Sequence, residues 1–212
     1  MSIHKYNDKG KLVEPWEDGY YSVTTILAVK HNRWLWEWKM KLGKEESEKV
    51  ANEAADKGTR VHRKLEKILA GQKFIKIDKE LLPYIVAFNN WLNEYCPEGD
   101  ILSEVYIYSK KYGYAGTADM ICTIDGELWL VDFKTSKAIY DEYGLQVRAY
   151  GYAYEEMTGT KVRTAILQLG LPTKKGWKFR EKKEPMNVFL AHKKIFDWEL
   201  KHHPIKKPKV KV

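Results

Sequence analysis

Three side chains near the middle of the chain have the types and spacing for metal-ion chemistry: Asp119, Asp132 and Lys134. They lie in Gly116-Thr117-Ala118-Asp119 and Leu130-Val131-Asp132-Phe133-Lys134, two largely apolar runs separated by Asp125-Gly126, a strong two-residue hairpin signal. Strand side chains alternate between faces. Asp132 and Lys134 therefore project to one side, while Trp129, Val131 and Phe133 project to the other and pack. The tight turn lays the strand bearing Asp119 alongside Asp132, so two carboxylates and an ammonium converge at the end of an apolar hairpin. A carboxylate pair offers the hard oxygen ligands that Mg²⁺ or Mn²⁺ takes, the others coming from water and phosphate. A surface salt bridge between Asp132 and Lys134 is the competing reading, because D-x-K alone is a short pattern. Charges at the end of a long apolar strand are harder to dismiss, since burying an unpaired charge is costly.

The elements that must position these side chains are marked by periodicity. β-Branched and aromatic runs at Ile101–Ser109, Tyr114–Ile124 and Glu127–Lys134 predict three antiparallel strands, Lys161–Leu169 a fourth and Trp177–Glu181 a shorter fifth. Helical spacing predicts helices over Arg33–Leu42, over about Lys44–Ala70 with an interruption at Gly58-Thr59, and over Lys79–Tyr95, Tyr140–Met157 and Pro185–His202. The order around the hairpin is helix, three strands, helix, strand. That αβββαβ order predicts an α/β (α+β) fold, a mixed central sheet flanked by helices, with a further helical region before it. The whole of 1–212 reads as one domain. Its parts are an arm or hairpin at 1–21, a helical region at 22–95, a sheet core at 96–184, a C-terminal helix at 185–202 and a basic tail at 203–212.

With 212 residues, 44% of them hydrophobic and 31% charged, the chain can bury a core and is neither disordered nor fibrous. No run approaches the ~18 consecutive apolar residues of a membrane span, and the first residues lack an apolar secretory core. The expectation is an intracellular, cytoplasmic protein without a membrane partner. Cys96 and Cys122 are too few for a disulfide framework or a four-thiolate cluster. The net charge of +8 is concentrated: Thr173–Glu184 holds six basic and two acidic residues, and Lys201–Val212 holds five lysines and no acid. Such surfaces suit nucleic acid or an anionic membrane, and a solvated loop and tail explain them equally well.

Taken together, the motifs carry a resemblance. G-T-A-D, then D-F-K-T-S-K, then Q-V-R-A-Y on the next helix resembles the PD-(D/E)XK nuclease superfamily, and more narrowly its RecB-like exonuclease branch. Gly58-Thr59-Arg60-Val61-His62, with Glu66 four residues on, matches that branch's helical histidine motif. Ser22-Val23-Thr24-Thr25-Ile26-Leu27 resembles the mitochondrial genome maintenance exonucleases and their phage and bacterial relatives. The similarity spans roughly residues 20 to 170. It implies that His62, Asp119 and Asp132 bind one or two Mg²⁺ or Mn²⁺ ions, with the Phe133 carbonyl as a further ligand. Lys134 would be the catalytic lysine, Glu66 would support His62 or a second metal, and Gln146 and Tyr150 would lie near the DNA phosphates. Ala118 replaces the proline of the superfamily's name, and the second acid is Asp. The iron–sulfur cysteines of some relatives are missing, so no iron–sulfur cluster is expected.

Physical chemistry supports compatible roles. A bound divalent ion lowers the pKa of water and polarises a phosphate. Lys134 among carboxylates reads as a cation that offsets transition-state charge rather than as a base. His62 must be neutral to ligate; without the resemblance it reads as a histidine packed beside Val61 and Leu65. Trp36 is the best candidate for a base-stacking platform, with Trp34 and Trp38 reading as core. Ser22 and Thr24 are helix caps that could also receive a phosphate. Lys174, Lys175, Lys178 and Arg180 could track a DNA backbone.

The resemblance thus implies a metal-dependent DNA exonuclease preferring single strands or ends, in DNA replication, repair, recombination or phage DNA processing. An endonuclease with the same site, structure-selective or restriction-type, and an inactive DNA-binding module are the alternatives. The sequence identifies no protein partner. Deleting Lys201–Val212 is expected to weaken DNA binding and flatten its salt dependence without abolishing hydrolysis, as read by titration of labelled DNA at several salt concentrations.

Overall fold

Among the described residues, which are 3–15, 17–30, 33–73 and 75–207 with the side chains of Arg33 and Trp34 excepted, the computed structural model forms one mixed eight-stranded sheet. Its strands are β1 (Lys5–Tyr6), β2 (Leu12–Val13), β3 (Tyr20–Ser22), β4 (Glu98–Ser109), β5 (Tyr114–Ile124), β6 (Glu127–Lys134), β7 (Arg163–Leu169) and β8 (Trp177–Glu181). The helices are α1 (Val23–Leu27), α2 (Arg33–Leu42), α3 (Lys44–Leu69), α4 (Leu82–Tyr95), α5 (Asp141–Thr158) and α6 (Met186–His202). The expected αβββαβ order is present, as α4, β4, β5, β6, α5 and β7. No helix among these residues is long and apolar enough to cross a membrane.

The sheet separates two apolar layers. On one side α1, α5 and α6 pack through Val23, Ile26, Val147, Ala153, Phe189 and Phe196 onto Leu130 and Ile166. On the other, α3 and α4 pack through Val61, Leu65, Ile85, Phe88 and Trp91 onto Met120, Val131, Phe133 and Leu167. Leu130 against Val131, and Ile166 against Leu167, show the period of two that sends neighbours to opposite cores.

Strand pairing around β5 sets up the site. β4 runs antiparallel along one edge of β5, its register extending from Ser109↔Tyr114 to Glu98↔Thr123. The other edge is shared. β3 takes Tyr114 and Ala115 in parallel, while β6 takes Met120 to Ile124 antiparallel. Between those two partners, residues 116–119 have no strand neighbour on that edge. The β5–β6 turn is fixed by Asp125 and Gly126, both at positive φ (51° and 73°), as a type I′ hairpin demands.

The structure differs from the sequence reading in several places. Gly58-Thr59 does not interrupt the long helix: α3 runs unbroken for 26 residues. Thr59 Oγ1 donates to the Ala55 carbonyl at 3.0 Å, and a Cβ at position 58 would lie 3.5 Å from Thr135 Oγ1. Gly58 costs about 1 kcal/mol relative to alanine in a helix interior, and Thr135 lies at ordinary contact distance from where its Cβ would be. The hairpin read about Gly10 is β1–β2, and β3, absent from that reading, joins it to the sheet. The helix expected from Lys79 begins as a 3₁₀ turn, Lys79–Leu81, before α4. Lys201 and His202 belong to α6, and residues 208–212 of the basic tail lie outside the described residues. The first half of α3, Lys44–Asp56, is exposed apart from Ser47, and α2 packs against α3.

Gly116 sits in the unpaired stretch of β5 beneath an aromatic ring: a Cβ there would lie 2.3 Å from Tyr150 Cε1. Gly116→Ala is expected to destabilise the fold by about 1–3 kcal/mol through overpacking, measured by urea unfolding.

Candidate active site

Where the β5–β6 ladder stops at Met120↔Val131, a side chain takes over from the backbone. The Phe133 N–H donates to Asp119 Oδ2 at 2.6 Å. The other carboxylate oxygen, Oδ1, lies 3.0 Å from His62 Nδ1. Val61 and Leu65 fasten this face of α3 to the sheet, and His62 is thereby held against β5. Asp119 thus joins α3, β5 and β6 through one buried carboxylate.

Across the gap, Asp132 and Lys134 project from alternate positions of β6 toward α5. Lys134 Nζ lies 2.7 Å from Asp132 Oδ2 and donates to Gln146 Oε1 at 3.1 Å. Gln146 Nε2 donates to Asp132 Oδ1 at 3.3 Å and to the Tyr150 hydroxyl at 2.9 Å. The ammonium also sits 4.7 Å from the Tyr143 ring centroid. Asp132 is only 2% exposed, and its Oδ2 has no hydrogen bond of good geometry beyond the ion pair.

Glu104 was not flagged by the sequence reading. It stands on β4 between Ser103↔Met120 and Val105↔Ala118, directly opposite Asp119. Its φ of 51° is rare for a residue with a side chain, a strain of the kind that collects at functional sites. Counting back from the Ser109↔Tyr114 pair across the β4–β5 turn would have found it. Ligand atoms of His62, Glu104 and Asp119 all lie within 4.8 Å of one another. One imidazole and two carboxylates suit Mn²⁺ or Mg²⁺, so the donor set fits a divalent ion. Asp132, expected in that set, is engaged instead with Lys134 and Gln146, because its strand position directs it to the α5 side.

Charge in this low-dielectric setting is strongly biased. Burial, then the negative charge of Asp119, pushes the Glu104 carboxyl up to about 7. Burial also raises Asp132, to about 6, against the pull of Lys134. For Lys134, burial favours the neutral amine, but Asp132 and Asp119 outweigh it and raise its pKa, so the group stays cationic. The same balance holds for His62: burial lowers its pKa, Asp119 raises it more, and the net shift is upward. Asp119 is raised by burial and lowered more by His62, Lys134 and the Phe133 N–H, ending below the ordinary carboxylate value.

The site opens to solvent through a cavity of about 440 Å³ lined by Gly58, Thr59, His62, Arg63, Glu66, Glu104, Thr117 and Asp119. Glu66 lines this cavity one helical turn beyond His62. A second cavity of about 420 Å³ continues along α3 past Arg63, Glu66, Arg60, Lys64 and Lys67. Gln146 and Tyr150, expected beside the phosphates, are buried behind the Asp132–Lys134 pair with their polar atoms used within the chain. Ser22 caps α1, its Oγ accepting from the Thr25 N–H at 3.1 Å, and is buried, whereas Thr24 is exposed. Ser22, the last residue of β3, is paired with Ala115, four residues and so about 13 Å along β5 from Asp119.

Lys178 and Arg180 are exposed on β8 and in register, through Gln168 and Ile166, with Lys134 and Asp132. Two strand spacings put them about 10 Å across the same sheet face. Lys174 is exposed in the preceding loop, and Lys175 is committed to Glu94 at 2.6 Å and to the Trp177 ring. Trp36 is 54% exposed on α2 and Trp38 partly buried; the Trp34 side chain lies outside the described residues.

No protein-family model matches the chain, and no curated protein matches it. Among solved structures it is similar to a candidate exonuclease from Eubacterium rectale, with a TM-score of 0.43 and 14% identity over 73% of this chain and 77% of that one. It is also similar to an alkaline exonuclease from Laribacter hongkongensis, with a TM-score of 0.40 and 14% identity over 68% and 79%.

The His62–Asp119 contact has a direct spectroscopic consequence. Without added metal, the His62 ring should titrate above 6.5 by NMR. Asp119→Asn removes the upward pull and leaves burial, so its pKa is expected to fall below 6.5.

Proposed function

We propose that this chain is a metal-dependent deoxyribonuclease that hydrolyses phosphodiester bonds, acting inside the cell as an exonuclease on single-stranded DNA or DNA ends. The observation that carries the reading is the nearness of two unlike charge arrangements, close enough to shift one another's ionisation. His62, Glu104 and Asp119 form a donor cluster for Mg²⁺ or Mn²⁺, and the buried Asp132–Lys134 pair stands beside it. Glu66 lies within reach as a further carboxylate, and the Phe133 carbonyl follows Asp132 on the same strand.

When bound, such an ion supplies Lewis acidity toward a phosphate oxygen and acidifies water. The remaining work falls to the protein. Lys134, fixed by Asp132 and Gln146, holds a positive charge where the phosphate becomes more negative in the transition state. Gln146 and Tyr150 act as positioning residues, because they orient the Asp132–Lys134 pair rather than meet the substrate. Arg63, exposed in the wall of both cavities, and Lys178 and Arg180 on β8 are cations suited to the DNA backbone. Trp36 suits base stacking, and Ser22 and Thr24 suit a phosphate at the far side of the gap in β5.

Digestion of end-labelled linear DNA, with circular single-stranded DNA alongside, tests this reading. Linear DNA is expected to be degraded with Mg²⁺ or Mn²⁺ and untouched in EDTA, and the circle is expected to survive. Lys134→Ala and Asp132→Ala should each lower the rate by about 10²–10³-fold. Cutting of the circle would assign an endonuclease. A gel shift without any cutting would assign a DNA-binding module, and full activity in Asp132→Ala would sink the site. Glu104 and His62 must both lose protons to ligate, and both are raised. Activity is therefore expected to climb with pH through about 7 and to fall off in acid.

A further inference from the structure

The C-terminal helix carries two apolar faces, and only one of them is used. Met186, Phe189 and Phe196 are buried in the core beneath α6. On the opposite side Val188, Ile195 and Trp198 are 39%, 52% and 56% exposed, and Ala191 between them is exposed as well. The spacing 188, 191, 195, 198 alternates steps of three and four, the a/d pattern of a coiled-coil seam. His202 continues it, its ring 4.3 Å from that of Trp198. Monomeric surfaces scatter single apolar residues but seldom line them up on one helix face.

We propose that this face binds a second copy of the chain, the two α6 helices lying parallel about a two-fold axis. The flanking charges select that occupant and that direction. With Val188 and Ile195 at a, Lys194 falls at g and Glu199 at the following e. In a parallel pair, Lys194 of each copy meets Glu199 of the other, twice by symmetry. An antiparallel pair would instead set Lys194 against like charge from Lys201. Within the described chain neither Lys194 nor Glu199 forms an ion pair, so both are available. Two heptads are short for a free peptide, because helix nucleation is unfavourable. Here α6 is already folded by its buried face, and docking carries no such cost.

Sedimentation of the 212-residue chain over a concentration series tests the proposal. The wild type is expected to pass from monomer to dimer, while Ile195→Glu and Trp198→Glu remain monomeric, with circular dichroism and thermal unfolding verifying that these surface variants are folded. Lys194→Glu and Glu199→Lys are each expected to raise the dimer dissociation constant about tenfold, and the double exchange to restore it. A wild type that is monomeric at every concentration overturns the proposal, as does a dimer that survives both seam variants. A double exchange that fails to restore association overturns the parallel pairing. Flotation with phosphatidylglycerol vesicles covers the lipid alternative. A monomer that floats, and no longer does so as Trp198→Glu, assigns the stripe to a membrane surface and overturns self-association.

Discussion

The Asp119 carboxylate holds together the part of the fold on which the site depends. Where β6 peels away from β5, a backbone N–H would be left without a strand partner in a buried place, and an orphaned buried donor is costly. Asp119 Oδ2 accepts that hydrogen, so the two strands diverge without the penalty. Its second oxygen reaches His62 and ties α3 to the same point. The gap this creates is the space around which Glu104, Asp132 and Lys134 are arranged. An alanine at 119 would leave the Phe133 N–H and the His62 ring each without this partner.

Buried charges need compensation, and the protein divides the task between two sides of the sheet. Toward α5, the ammonium of Lys134 and the amide of Gln146 offset Asp132, and Tyr150 holds the amide in place. Toward α3, His62 offsets Asp119, but for Glu104 partial burial and the charge of Asp119 outweigh the pull of His62, and its carboxyl is raised to about 7. The excess negative charge on that side is what a divalent cation would relieve. The asymmetry distinguishes a side with uncompensated negative charge from a self-compensated one, although both carry aspartates.

Legibility of these features in the sequence followed how local the cause was. Asp125-Gly126 fixed the β5–β6 turn by itself, and alternation alone assigned Asp132 and Lys134 to one face. Most helix and strand spans were readable from period, since each buries a stripe of its own. What escaped depended on contacts between distant segments. Gly58 looks like a helix breaker in isolation, yet α3 runs through it unbroken. Glu104 is one charged residue on a half-exposed strand until the register sets it against Asp119. Gln146 and Tyr150 were readable as a pair one helical turn apart, but only packing shows their polar groups turned inward to Asp132 and Lys134. The first 22 residues carry too few apolar positions to reveal that they complete a sheet edge.

The continuity of α3 has a mechanical meaning. Its exposed first half extends about 20 Å beyond the region that packs on the sheet, α2 is in contact with α3, and the helix is continuous from that overhang to His62. A stiff rod anchored by Val61 and Leu65 behaves as a lever whose fulcrum is the core. Gly58, where a break would be easiest, lies within the continuous helix, so the overhang and His62 belong to one element.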